Sequence, residues 1–132
     1  MVGDLQECTR AIPLGGKIFK DKWGTPDVIG IERSKPTDVI KHEDVLISAE
    51  IKTDASPTAL ITAFGQTCAY KAFSHKAYIV IPKSASEEDT SRIESLCLIF
   101  GIGLILFDSD NPEDPKFSIK QDPSKPNRIC FI

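Results

Sequence analysis

Three charged side chains stand at the ends of apolar runs where they could act together. They are Asp27 in "TPDVIGI" and Glu50 and Lys52 in "SAEIK". Glu50 and Lys52 are two residues apart, so on a strand they share a face. Ala49 and Ile51 then take the opposite face and are expected to point into the core. Asp27 enters the preceding apolar run. If the two runs are antiparallel neighbours, Asp27 and Glu50 come within reach of one cation. Mg²⁺ is usually held by one or two carboxylates, with waters and substrate phosphate completing its shell. The backbone carbonyl of Ile51 is a candidate third oxygen. A bound ion would polarise a phosphodiester and acidify a water. Lys52 could orient that water or offset charge in the transition state. Each residue also has a plain structural reading: Asp27 as a strand-entry aspartate after Pro26, and Glu50 with Lys52 as a charge pair on a solvated strand face.

The elements that must position these residues follow from periodicity and punctuation. Alternation over 15–24 predicts a strand carrying Lys17, Lys20 and Lys22, and the β-branched run over 25–33 predicts another. A third covers 44–52. Short connections make these three an antiparallel meander. The period then changes. Ser56 and Pro57 form an N-cap and N1 pair, and Leu60, Phe64, Cys68 and Ala72 recur at helical spacing, so a helix is predicted over 56–73. "KAYIVIP" at 76–82 is a buried strand. Ser86 and Asp89 resemble a capping box, Ile93, Leu96, Cys97 and Phe100 form a core face, and Gly101 is a stop, which predicts a helix over 86–101. A last buried strand follows at 103–108, with short strands expected near 117–119 and 129–132. Residues 1–13 are weakly patterned, as a short helix or a frayed end. Strands 44–52, 76–82 and 103–108 are joined by helices, so right-handed crossovers make them parallel. The fold class is α/β, a three-layer-like mixed sheet flanked by helices. One domain spans 1–132, with 1–14 and 109–132 peripheral.

"TPDVIGI" followed by "SAEIK" resembles the PD-(D/E)XK nuclease superfamily, whose members share a restriction-endonuclease-like core. Pro26-Asp27 matches its PD element and Glu50-Ile51-Lys52 its ExK element. The next helix carries Gln66 and Tyr70, similar to the Q-x-x-x-Y element of RecB-like nucleases, and residues four apart do share a helix face. The resemblance covers roughly two thirds of the chain, from Lys17 to Asp108. It implies a Mg²⁺-dependent phosphodiesterase, with Mn²⁺ a plausible substitute, acting on nucleic acid and above all on DNA. In it Asp27 and Glu50 hold the ion with the Ile51 carbonyl, Lys52 is catalytic, and Gln66 and Tyr70 support the site. Family members often carry a further acidic residue on an upstream helix, for which Asp4 or Glu7 is the candidate here. Restriction-type enzymes often act as dimers, so a homodimer or a fused recognition domain is a further implication.

Lys71, His75 and Lys76 cluster where the first helix meets the next strand. They are candidate phosphate contacts, or else charges that complement a helix C-terminus. Glu87, Glu88 and Asp89 suit a helix N-terminus. A net charge of −3 excludes a protein that coats nucleic acid by charge alone, though not a nucleic-acid enzyme. Cys8, Cys68, Cys97 and Cys130 form no CxxC pair, which argues against a zinc or redox site and for a reducing, cytoplasmic setting. The longest apolar run, 96–107, is broken by Gly101 and Gly103, so no membrane span is expected, nor is a signal peptide. A catalytically inactive nuclease-like domain for nucleic-acid binding or assembly is the alternative. A generic α/β domain is weaker, because no phosphate-cradling glycine motif is present.

Overall fold

The structure is a computed structural model that describes residues 10–13, 25–34, 37, 39 and 43–124. The strand expected over 15–24, Asp4, Glu7, His42, Cys8, Cys130 and the strand expected over 129–132 lie outside the described residues. The elements are β1 (Arg10–Pro13), β2 (Val28–Glu32), β3 (Val45–Ile51), α1 (Pro57–Tyr70), β4 (Lys76–Pro82), α2 (Glu87–Phe100), β5 (Gly103–Phe107) and β6 (Ser118–Gln121). Strand β1 forms the end of the segment 1–13 expected as a short helix or frayed end, whose residues 1–9 lie outside the described residues. Its four residues follow a polar segment and show too little alternation to announce a strand.

The six described strands form one sheet in sequence order. β1, β2 and β3 are an antiparallel meander, β3, β4 and β5 are parallel, and β6 closes antiparallel to β5. The protein is therefore α/β with a mixed sheet. The two parallel crossovers step the same way across the sheet. Right-handed connections then place both helices on one face. Leu60, Ala63 and Phe64 of α1 and Ile93 and Cys97 of α2 share a core with Ala77, Ile79, Ile81 and Leu104 on that face. Alternation sends Ile47, Ala49, Tyr78, Val80 and Ile105 to the other face, where they form a second cluster. The described helices thus add one layer to the sheet, not the two of the expected three-layer form.

Local chemistry sets the helix ends. Ser56 Oγ accepts from Ala59 N at 3.3 Å, and Asp54 in turn accepts from Ser56 N at 2.9 Å. Ser86 Oγ accepts from Asp89 N at 3.1 Å, and Gly101 ends α2 at φ 71°, the left-handed conformation that suits glycine. α1 stops at Tyr70, short of the expected 73, so Ala72 lies beyond it and is exposed. Phe100, expected in the core, is 53% exposed and meets Phe64 edge to face at 5.8 Å. It stands in the last turn of α2, where the helix leaves the sheet.

Candidate active site

The β2–β3 register pairs Val28 with Ala49, and its continuation sets Asp27 opposite Glu50. Asp27 N donates to Ala49 O at 3.0 Å, and Asp27 Oδ2 accepts from Ile51 N at 2.8 Å. The carboxylate thus takes the place a strand carbonyl would have, and ends the β2–β3 ladder. Ile51, expected in the core, is 39% exposed instead. At the end of β3 the strand has passed beyond the second cluster that covers Ala49. Lys52 N donates to Val80 O at 2.9 Å, so the β3–β4 ladder outlasts β3 and keeps Lys52 on Glu50's side.

Glu50 does not lie on a solvated face. It is 6% exposed beneath α1. Tyr70, the last residue of α1, donates its hydroxyl to Glu50 Oε1 at 2.9 Å and lies 3.1 Å from Thr25 O. Burial pushes the Glu50 carboxyl above the usual glutamate range. The Tyr70 hydrogen bond opposes that, nearby Asp27 adds to it, and Lys52 opposes it weakly. Burial, with Glu50 beside it, also raises the Tyr70 phenol, which stays protonated as a donor. Among the described residues, only Glu32 Oε2 and Gln66 Oε1 are buried side-chain atoms without a hydrogen-bond partner. Gln66 lies one helical turn before Tyr70, and its sealed carbonyl oxygen lacks a donor.

Asp27, Glu50, Lys52 and Tyr70 are thus brought together. The two lysines named with them are not. Lys71 Nζ donates to Phe100 O at 3.1 Å and Gly101 O at 3.5 Å, which places it on the C-terminal carbonyls of α2. Lys76 lies 3.9 Å from Glu32 Oε2, in register with Ile47 on the face away from Glu50. His75 ties the start of β3, its Nδ1 accepting from Leu46 N at 2.9 Å. Thr25 was missed as a site neighbour, because a backbone carbonyl leaves no trace in residue type.

Among the described residues no group of three or more His, Cys, Asp or Glu converges as a metal cage. The pair Asp27 and Glu50 fits a hard divalent cation that keeps its waters, since each carboxyl has one oxygen fixed by the protein and one not so engaged. No helix among the described residues is long and apolar enough to cross a membrane. Burial pushes the free Cys97 thiol up to about 12 and raises that of free Cys68, which leaves both poor nucleophiles. No protein-family model matches this chain, and no curated protein matches it.

Proposed function

We propose that this chain is a metal-dependent nuclease that hydrolyses nucleic-acid phosphodiester bonds, with DNA the expected substrate, on a restriction-endonuclease-like core of the PD-(D/E)XK type. The observation that carries this is the approach of Asp27 to Glu50, with Lys52 beside them, where β3 leaves the core. Asp27, Glu50 and the Ile51 carbonyl would hold Mg²⁺, or Mn²⁺ in its place. Such an ion polarises the phosphodiester and makes a water acidic enough to attack it. Lys52 offsets the negative charge that builds on the phosphate. Tyr70 holds Glu50 Oε1 and leaves the other oxygen as the one that would meet the ion. The buried, unpartnered Gln66 carbonyl oxygen, one helical turn before Tyr70, would accept from an enclosed water. Asp27, fixed to Ile51 N, keeps the end of β3 in place while substrate binds. A homodimer or a fused recognition domain would supply the reading surface, and free thiols suit a cytoplasmic setting.

A nuclease-like domain that binds or assembles without catalysis is the second reading. It is favoured by the lack of a third carboxylate or histidine at the pair among the described residues. Cleavage of single- and double-stranded DNA with Mg²⁺ or Mn²⁺ separates the two. Wild type should cut, while Asp27→Ala and Lys52→Ala should lose at least about a hundredfold in rate, the size typical of lost electrostatic stabilisation. Cleavage that survives both substitutions removes the assignment. No cleavage by wild type, together with retained DNA binding, selects the second reading.

A further inference from the structure

Two serine hydroxyls lie in the interior between β3 and the end of α1. Ser48 is 0% exposed and Ser74 3%. Their Oγ atoms are 2.8 Å apart, and Ser74 Oγ donates to Tyr70 O at 2.7 Å. Each hydroxyl has one proton. Ser74 gives its proton to Tyr70, so the bond between the serines runs from Ser48 to Ser74. Ser74 N donates to the same carbonyl at 2.9 Å. Tyr70 O, at the end of α1, is held three times, since Phe73 N also donates to it at 3.1 Å.

Ser48 and Glu50 are two residues apart on β3, so they share a face and stand roughly 7 Å apart. Tyr70 is tied at both points. Its backbone is joined through Ser74 to Ser48, and its hydroxyl donates to Glu50 Oε1 at 2.9 Å. The residue lies along the strand as a strut. We infer that the buried Ser48–Ser74 hydroxyl pair is a positioning device for Glu50 that acts through Tyr70. Its bearing on ion binding rests on the nuclease reading, whereas its hold on Tyr70 does not. Apolar residues would fill the same space, but their contacts are not directional, and the end of α1 could slide along β3. A satisfied buried polar network permits one arrangement.

Labelling tyrosine with ¹³C at Cζ tests this directly. The chain has two tyrosines, so Tyr70→Phe assigns the Tyr70 signal against Tyr78. In Ser74→Ala and in Ser48→Ala the Tyr70 signal should move toward its position in Glu50→Gln, with Tyr78 unmoved. Ser48→Ala removes a single hydrogen bond and decides the matter if Ser74→Ala does not fold. Calorimetry with Mn²⁺ gives a second readout. Ser74→Ala should weaken binding about three- to tenfold, the size of one lost hydrogen bond, and should add no further loss to Tyr70→Phe. A Tyr70 signal that stays at its wild-type position in both serine variants overturns the inference, as does a Mn²⁺ loss that adds fully to that of Tyr70→Phe. Failure of wild type to bind Mn²⁺ would overturn the nuclease reading alone, and the tyrosine signal would still decide the positioning role.

Discussion

Tyr70→Phe removes one oxygen from a ring that is 1% exposed, so almost no packing is lost with it. The hydroxyl it deletes donates to Glu50 Oε1 at 2.9 Å and lies 3.1 Å from Thr25 O. Phenylalanine would leave a largely buried carboxylate oxygen without its donor. A hydrogen bond to a charged group contributes about 1.5–3 kcal/mol, and stranding its buried partner costs more than removing both. We therefore expect Tyr70→Phe to lose about 2–3 kcal/mol at pH 7. Urea unfolding followed by circular dichroism should show a lower midpoint with an unchanged slope. The pH dependence has a definite sign. The Tyr70 bond lowers the Glu50 pKa, so its loss moves that carboxyl further up. The penalty should be largest where Glu50 is ionised in wild type and should shrink toward acid, where the carboxyl is neutral in both proteins. A loss below about 0.5 kcal/mol at pH 7, or one of constant size down to about pH 4, would refute the claim that this phenol holds an ionisable carboxyl.

Glu50→Gln should stabilise the fold at neutral pH. Burial raises the folded pKa of Glu50 above its unfolded value, so the folded state binds this proton more tightly. The wild-type contribution is lost as pH rises from the unfolded carboxylate range through the higher folded pKa, at no more than about 1.4 kcal/mol per pH unit for one proton. Urea midpoints across pH 4–8 should show the variant's advantage growing with pH, and equal midpoints throughout would contradict it. Gly103→Ala should cost about 1–3 kcal/mol by overpacking. The added methyl would meet Tyr78 Cδ1 and come within 2.6 Å of Tyr78 Cε1, a ring that is 0% exposed, and thermal unfolding reads the loss. Lys71→Ala frees two carbonyls at the end of α2. It should lower stability by about 0.5–1.5 kcal/mol while leaving Mn²⁺ affinity at the wild-type value. A fall in that affinity would bring Lys71 back into the site.

Where a feature depends on neighbours in the chain, it was legible in the sequence. Ser56 with Pro57, and Ser86 with Gly101, mark helix ends through bonds that span three or four residues, and α2 lies one residue inside its expected limits at each end. The parallel set followed from helices between strands and the handedness of crossovers. Features decided by long-range placement were harder. Alternation put Glu50 opposite Ala49 but left open whether Glu50 faced water or a helix, and α1 covers it. Ile51 obeys the same alternation yet is exposed, because the core ends before the strand does. Lys71 and Lys76 are close in sequence to Tyr70, but α2 and β2 claim them. Ser48 and Ser74 carried no signal at all, since two serines separated by 26 residues look like ordinary polar positions until β3 and α1 meet.

The pairing of Asp27 with Glu50 as an ion site is tested most directly by a crystal structure of the protein soaked in Mn²⁺, with data collected at the manganese absorption edge. An anomalous peak between Asp27 and Glu50, with the Ile51 carbonyl among its ligands and Tyr70 still on Glu50 Oε1, is the expected result. A peak held elsewhere on the protein, or no peak at a concentration that saturates ordinary carboxylate pairs, would contradict it.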